Sequence, residues 1–295
     1  MGAFKGWQST KKNRLFAKFP TIGFVEQNPF YIASAYGAPV CAYSLRVVDQ
    51  NFTSCIRVRR SSDNTETNIG FAGNVLDVSA LLAFTGAGNG FVSQWFDQSA
   101  NASHLYQGDT TKQPRIVLAG VVDRSNGLPS ILFDGINDTL NGPVTSFDIV
   151  QGMYSVTAAK TVNAGRNEIL LNTNSPFGNN AIQVIPRWSD NITYQQIGYI
   201  NQSSALSSLP GLNLCNYTAR GGLTQQSFFN GAPSIVSANQ SQAPLIGTVI
   251  SVGSWEATGN LLYYLAGYMS EVLILPTVPP QILTIIGNTR LFYSI

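Results

Sequence analysis

From Cys41 to the C-terminus the chain is a series of short apolar runs separated by clusters of Gly, Pro and Asn. "GFVSQWFD", "PSILFDG", "MYSVTAAK", "NEILLNT", "AIQVIPRW", "NITYQQIGYI", "LNLCNYTA", "QSFFNGAPS", "TVISVGSW" and "YLAGYMSEVLIL" follow one another in this way. Such runs bury an apolar face by pairing as strands and stacking sheet on sheet, and helices too rarely intervene for βαβ units. The expectation is an all-β, two-sheet antiparallel sandwich. In "GFVSQWFD" strict alternation puts Val92, Gln94 and Phe96 on one face and Phe91, Ser93 and Trp95 on the other. Two segments read as helices. "LDVSALLAF" carries Asp77 as an N-cap, and "VPPQILTIIGNTRLFY" begins at Pro279 and Pro280 with Ile282, Ile285 and Ile286 on one face.

Residues 1–40 differ from the rest. They mix Lys11, Lys12, Arg14 and Lys18 with Phe4, Trp7, Phe16, Phe19, Phe24, Phe30 and Tyr31, and no helical or strand period persists. We read an extended N-terminal arm with aromatic anchors, ordered either against its own domain or against another subunit. Residues 41–295 form the domain.

Only 11% of the 295 residues are charged, against roughly 25% in ordinary soluble domains. Asn, Ser, Thr, Gln and Gly take their place, which suits neutral partners such as sugars. The net charge of +2 lacks the clustered basic stripe of a nucleic-acid binder. No apolar run reaches membrane-spanning length, and the N-terminal stretch lacks the apolar core of a signal peptide. Cys41, Cys55 and Cys215 have no metal-ligand spacing; buried free thiols are expected, with one disulfide as the alternative. No metal or cofactor is implied.

Against this sparse background, Arg57, Arg59, Arg60, Asp63 and Glu66 crowd into ten positions. Ile56 and Val58 alternate with Arg57 and Arg59, Asp63 and Asn64 make a turn, and Glu66 lies on the return strand. The cluster reads as wiring of a hairpin, its arginines pairing with Glu66, Asp63 and Asp97. An anion-binding patch is the rival reading.

Several stretches in order resemble the concanavalin A-like lectin/glucanase (laminin-G-like) jelly-roll superfamily, and are similar to the catalytic sandwich of family-54 α-L-arabinofuranosidases. They are "AYSLR" (42–46), "RVRRSSDNTETNIGF" (57–71), "LDVSALLAF" (76–84), "WFDQSANASHLYQ" (95–107), "PSILFDGINDTL" (129–140) and "ISVGSWEATGNLLYYLAGYMSEVLIL" (250–275). The resemblance implies a jelly-roll sandwich of sugar-cleaving ancestry, a scaffold also seen in bacteriophage tail and surface proteins. It also implies a catalytic Glu and Asp, and here the sequence departs. The stretch matching the nucleophile segment is "SPFGNNAIQV", with Asn179 and Asn180 and no carboxylate. The acid/base loop matches "GSWEATGN", which offers only Glu256. A retaining glycosidase needs both acids.

Asp97, Asp134 and Asp138 are the remaining acids of interest, each read as a turn-former. His104 has no accompanying triad. The expected function is therefore a non-enzymatic virion protein, capsid- or tail-associated. It is assembled in the host cytoplasm, joined to other virion proteins through residues 1–40 and homo-oligomeric. Glycan binding would use Trp188, Trp255 and Tyr263. The alternative is an arabinofuranosidase-type hydrolase with Glu256 and Asp97 or Asp134 as a displaced pair.

Overall fold

The computed structural model describes residues 38–143, 249–257, 260–276 and 282–295, and strand backbone at intervals between 152 and 237. The expected arm lies outside the described residues except for its last three. Of these, Val40 donates its N–H to Ile274 O at 2.7 Å and is buried, so the sandwich already begins there.

One sheet is built around the long strand Ala266–Leu275. On one side it pairs with Gly152–Ala159 along its length. On the other, Cys41–Ser44 takes its second half and Ile131–Asp134 its first, end to end. Asn213–Thr218, Gln225–Phe229 and Ala232–Ser237 extend the sheet outward from Gly152–Ala159. The second sheet runs through Glu66–Ala72, Ser54–Arg60, Gly90–Trp95, Leu105–Tyr106, Leu140–Pro143, Val249–Val252 and Leu171–Thr173. It continues to Ile182–Ile185, Thr193–Ile197 and Gln202–Ser204. All these pairings are antiparallel. Arg115–Leu118 joins the sheets, pairing with Ile131–Asp134 through Leu132 and with Gly90–Trp95 through Gly90 and Phe91.

The core lies between the sheets. Cys41, Tyr43, Ile131, Phe133, Met269, Val272 and Ile274 meet Ile56, Val58, Ile69, Val92, Trp95, Leu140, Ile250 and Val252. Cys41 and Cys55 are buried free thiols within it. The expected alternation in "GFVSQWFD" fails at one point. Arg57 pairs with Gln94 and Val58 with Val92, so Ser93 is an extra, bulged residue. Val92 and Trp95 therefore both reach the core. The same device between Ser54 and Ile56 puts Cys55 and Ile56 inside together.

Both helices form as the sequence indicates. Asp77 accepts the N–H of Ala80 at 2.9 Å and starts Val78–Thr85. Ile282–Tyr293 packs Ile285, Ile286 and Tyr293 on the outer face of the first sheet, against Ala42, Leu273 and Leu275.

Beneath that helix sits Glu271, fully buried. Arg46 Nε and Nη2 grip its carboxylate at 2.7 and 2.8 Å, and Ser44 Oγ and Tyr293 Oη donate to it at 2.6 and 3.0 Å. Arg46 also reaches Thr289 Oγ1 at 3.1 Å and lies over the rings of Phe292 and Tyr293. Burial, and then the Glu271 charge, push the Tyr293 phenol well above its ordinary range. A bidentate pair in a dry site is strong because it is complete; removing one member leaves a buried charge opposed by nothing. Glu271→Ala is therefore expected to lower the unfolding free energy by roughly 3–5 kcal/mol in urea titrations. Asp63→Asn, at an exposed ion pair, should leave the urea midpoint where it was.

Candidate functional site

The arginine cluster divides into three tasks. Arg60 forks onto Asp63 at 2.7 and 3.1 Å and donates to Phe84 O at 2.8 Å, in the last turn of the first helix, where a cation is favoured. Arg57 bonds Asn68 Oδ1 at 2.8 Å. Arg59, 7% exposed, is the organiser. It donates to Gln113 Oε1 at 2.6 Å, Asn64 Oδ1 at 2.9 Å and Thr110 O at 3.2 Å, and covers the Phe91 ring at 4.9 Å. Glu66 stands opposite Arg59 in the register, yet no ion pair joins them among the described residues. Burial lowers the Arg59 pKa, and the charge of Glu66 partly restores it.

Asp97 does not belong to this cluster, contrary to the sequence expectation. Its Oδ1 accepts the N–H groups of Ala42 and Ser99 at 2.7 and 2.9 Å; its Oδ2 accepts Ser99 Oγ at 2.6 Å and Ser103 N–H at 2.9 Å. Four short bonds in a fully buried position make it the hub of the loop after Gly90–Trp95. His104 is tied to the same loop, its Nδ1 accepting the Asp97 N–H at 3.1 Å, and burial lowers its pKa.

Asp134 and Asp138 do come together at a surface. Asp134 Oδ1 collects the N–H groups of Ile136, Asn137 and Asp138, and Asp138 Oδ2 accepts the Asp134 N–H at 2.9 Å. Gly135, at φ +75°, turns the loop where a Cβ would press on Ala266. The loop walls a cleft of about 190 Å³ whose other sides are Asn89, Phe91, Thr110, Thr111, Gln113, Arg115 and Leu132. Burial, and then the neighbouring Asp134 charge, push the Asp138 carboxyl up to about 7; the Asp134 N–H and the Arg115 charge oppose the rise in part. Arg115 is engaged by Asp123 at 2.8 and 3.0 Å. Asp134 and Asp138 carried a turn signal in the sequence; Gln113, Arg115 and Phe91 carried none.

At the end of this loop Thr139 and Ser254 share a 2.6 Å hydroxyl–hydroxyl bond. Ser254–Ala257 and Asn260–Tyr264 leave from there as a two-stranded hairpin, in which Trp255 and Tyr263 are cross-strand partners. Glu256 is on the same hairpin, on the far side of a register shift. Gly253 at its base has φ +85°, and a Cβ there would overlap the Phe133 ring, so only glycine fits. Trp188 lies outside the described residues, as do Asn179 and Asn180. Among the described residues no group of three His, Cys, Asp or Glu could hold a metal, and no helix is long and apolar enough to cross a membrane.

No family model matches the sequence, and no curated protein matches it. Solved structures do. A GH54 α-L-arabinofuranosidase soaked with a cyclic sulfate inhibitor superposes with a TM-score of 0.66 over 88% of this chain, at 17% identity. An arabinofuranosidase complexed with arabinofuranosyl-α-1,2-xylobiose gives 0.65 over the same share, also at 17% identity. A Trypanosoma rangeli sialidase in complex with sialic acid gives 0.50 over 68% of this chain and 31% of its own, at 10% identity. The likeness is one of fold. This chain shares the β-sandwich fold of these structures, and it spans 64% of the length of the two arabinofuranosidase structures.

The Asp138 carboxyl gives a pH signature. Its folded pKa lies above the unfolded value, so the fold holds a proton that the unfolded chain releases first. The contribution of this group to stability is full below about pH 4 and is lost as pH rises through about 7. Thermal melts of Asp138→Asn should lack this descent and show a higher melting temperature than the parent at pH 8.

Proposed function

We propose that the chain is a non-enzymatic attachment sandwich of a virus particle, carried by residues 1–40 and recognising glycans at the rim formed by the Asp134–Thr139 loop and the Trp255–Tyr263 hairpin. The observation that carries the non-enzymatic part is the use made of its acids. Asp49, Asp63, Asp77, Asp97, Asp109, Asp123, Asp134, Asp138 and Glu271 each accept a hydrogen bond from backbone, Arg or hydroxyl within the fold. Glycan recognition is supported by the cross-strand Trp255–Tyr263 register, by the weakly charged composition and by the sandwich scaffold. The phage association rests on the resemblance of the ordered motifs, and the arm's basic and aromatic content suits docking onto a neighbouring protein.

One observation favours hydrolysis as a second reading. Asp138 is held near neutral pKa beside a second carboxyl in a cleft, as a general acid would be. In that reading Glu256 or Asp134 supplies the other acid.

Glycan-array binding by the purified chain, lost on Trp255→Ala and Tyr263→Ala, is the result expected. Aryl arabinofuranosides should not turn over; turnover abolished by Glu256→Gln or Asp138→Asn would establish the hydrolase instead. Deleting residues 1–37, which keeps Val40 in the sandwich, should abolish incorporation into particles and spare glycan binding; a deletion that incorporates normally would remove the attachment role.

A further inference from the structure

We infer that the cleft between the Asp109–Gln113 and Asp134–Asp138 loops binds a single ring of a neutral sugar, held through two adjacent hydroxyls by the Asp134 and Asp138 carboxyls. The inference deepens the glycan-binding reading and rests on it for the ligand's class. The assignment is to the lining of the cleft and not to the hairpin aromatics.

Hydrogen-bonding capacity is left over on several groups that line the cleft. Asp134 Oδ1 is committed to three backbone N–H groups and Asp138 Oδ2 to one. Among the described residues nothing engages Asp134 Oδ2 or Asp138 Oδ1. Asp138 is 6% exposed and lines the cleft, as Asp134 does. Two carboxyl oxygens from one tight loop match two hydroxyls on neighbouring carbons. Donors face them. Asn89 Oδ1 is taken by Ala119 N–H at 2.8 Å, which leaves its Nδ2. Arg115 uses Nε and Nη2 on Asp123, which leaves Nη1, and the Thr110 hydroxyl completes the set. Hydroxyls both give and accept, and a mixed lining of this kind satisfies them. Phe91 and Leu132 add apolar surface for C–H groups.

Size and charge narrow the class. At about 190 Å³ the cleft is smaller than the roughly 300–1,000 Å³ of drug-sized pockets, so it holds one ring and not a chain. Calcium would require about six to eight oxygens, which two carboxyls do not approach, and the Arg115 guanidinium stands on the same wall. An anion would meet both carboxyls. The wall is also prearranged. Gln113 is held at both ends of its amide, by Arg59 and by Gln107 O, and Arg59 fixes Gln113, the Thr110 carbonyl and Phe91 together.

Saturation-transfer NMR and calorimetry on the full chain, with L-arabinose, D-xylose, D-galactose and D-glucose as probes, test the assignment. At least one sugar should bind. Asp138→Asn, nearly isosteric, and Thr110→Trp, at an exposed position, should each weaken it by about tenfold or more. Leu291→Ser, on the exposed face of the C-terminal helix, should not. Unchanged binding in both cleft variants, with loss on Trp255→Ala, would overturn the cleft assignment and leave the glycan-binding reading intact. Saturation by calcium chloride or methylammonium with no sugar bound would overturn it in favour of a cation site. Silence from every probe here and on the glycan array would remove both.

Discussion

The buried pair of Arg46 and Glu271 is the interaction on which the two ends of this fold depend. Glu271 interrupts an otherwise apolar strand, and its charge is tolerable only because Arg46, Ser44 and Tyr293 saturate it. Three separate elements thereby become one body: the first strand, the central strand and the C-terminal helix. A hydrophobic seam would let the helix slide along the sheet. A bidentate pair with a phenol and a hydroxyl on the same carboxylate specifies one position.

Much of the described charge is engaged within the fold. Arg59 holds the wall of the cleft, Arg60 closes a helix and a turn, Asp97 ties the loop beside Cys41–Ser44, and Asp134 nucleates its own loop. The cleft is the exception that follows from this economy of charge. Asp138 has a partner for one oxygen only, and burial, and then the neighbouring carboxyl, oppose its ionisation.

Part of this was legible in the residues. "DVSALLAF" announces a capped helix, and Asp77 caps it. "RRSSDNTET" announces a hairpin, and Arg59 faces Glu66 in the register. The pairing expected from that register is absent, because Arg59 finds Gln113, Thr110 and Asn64 instead. Asp97 was grouped with the arginines by composition and is separated from them by position. Arg115 and Gln113, central to the cleft, lie in "KQPR", which has no pattern to distinguish it.

The sequence by itself determined the class of fold, the turns, both helices and the scarcity of charge, because these follow from local periodicity, capping and composition. Only the tertiary structure decided which groups meet. Arg46 and Glu271 are 225 residues apart, and Arg59 and Gln113 are 54 apart. The bulges at Ser93 and Cys55 also belong to tertiary structure. A bulge is a one-residue slip whose advantage lies in the partner strand and the core it fills, so no local rule could have shown that Val92 and Trp95 share a face.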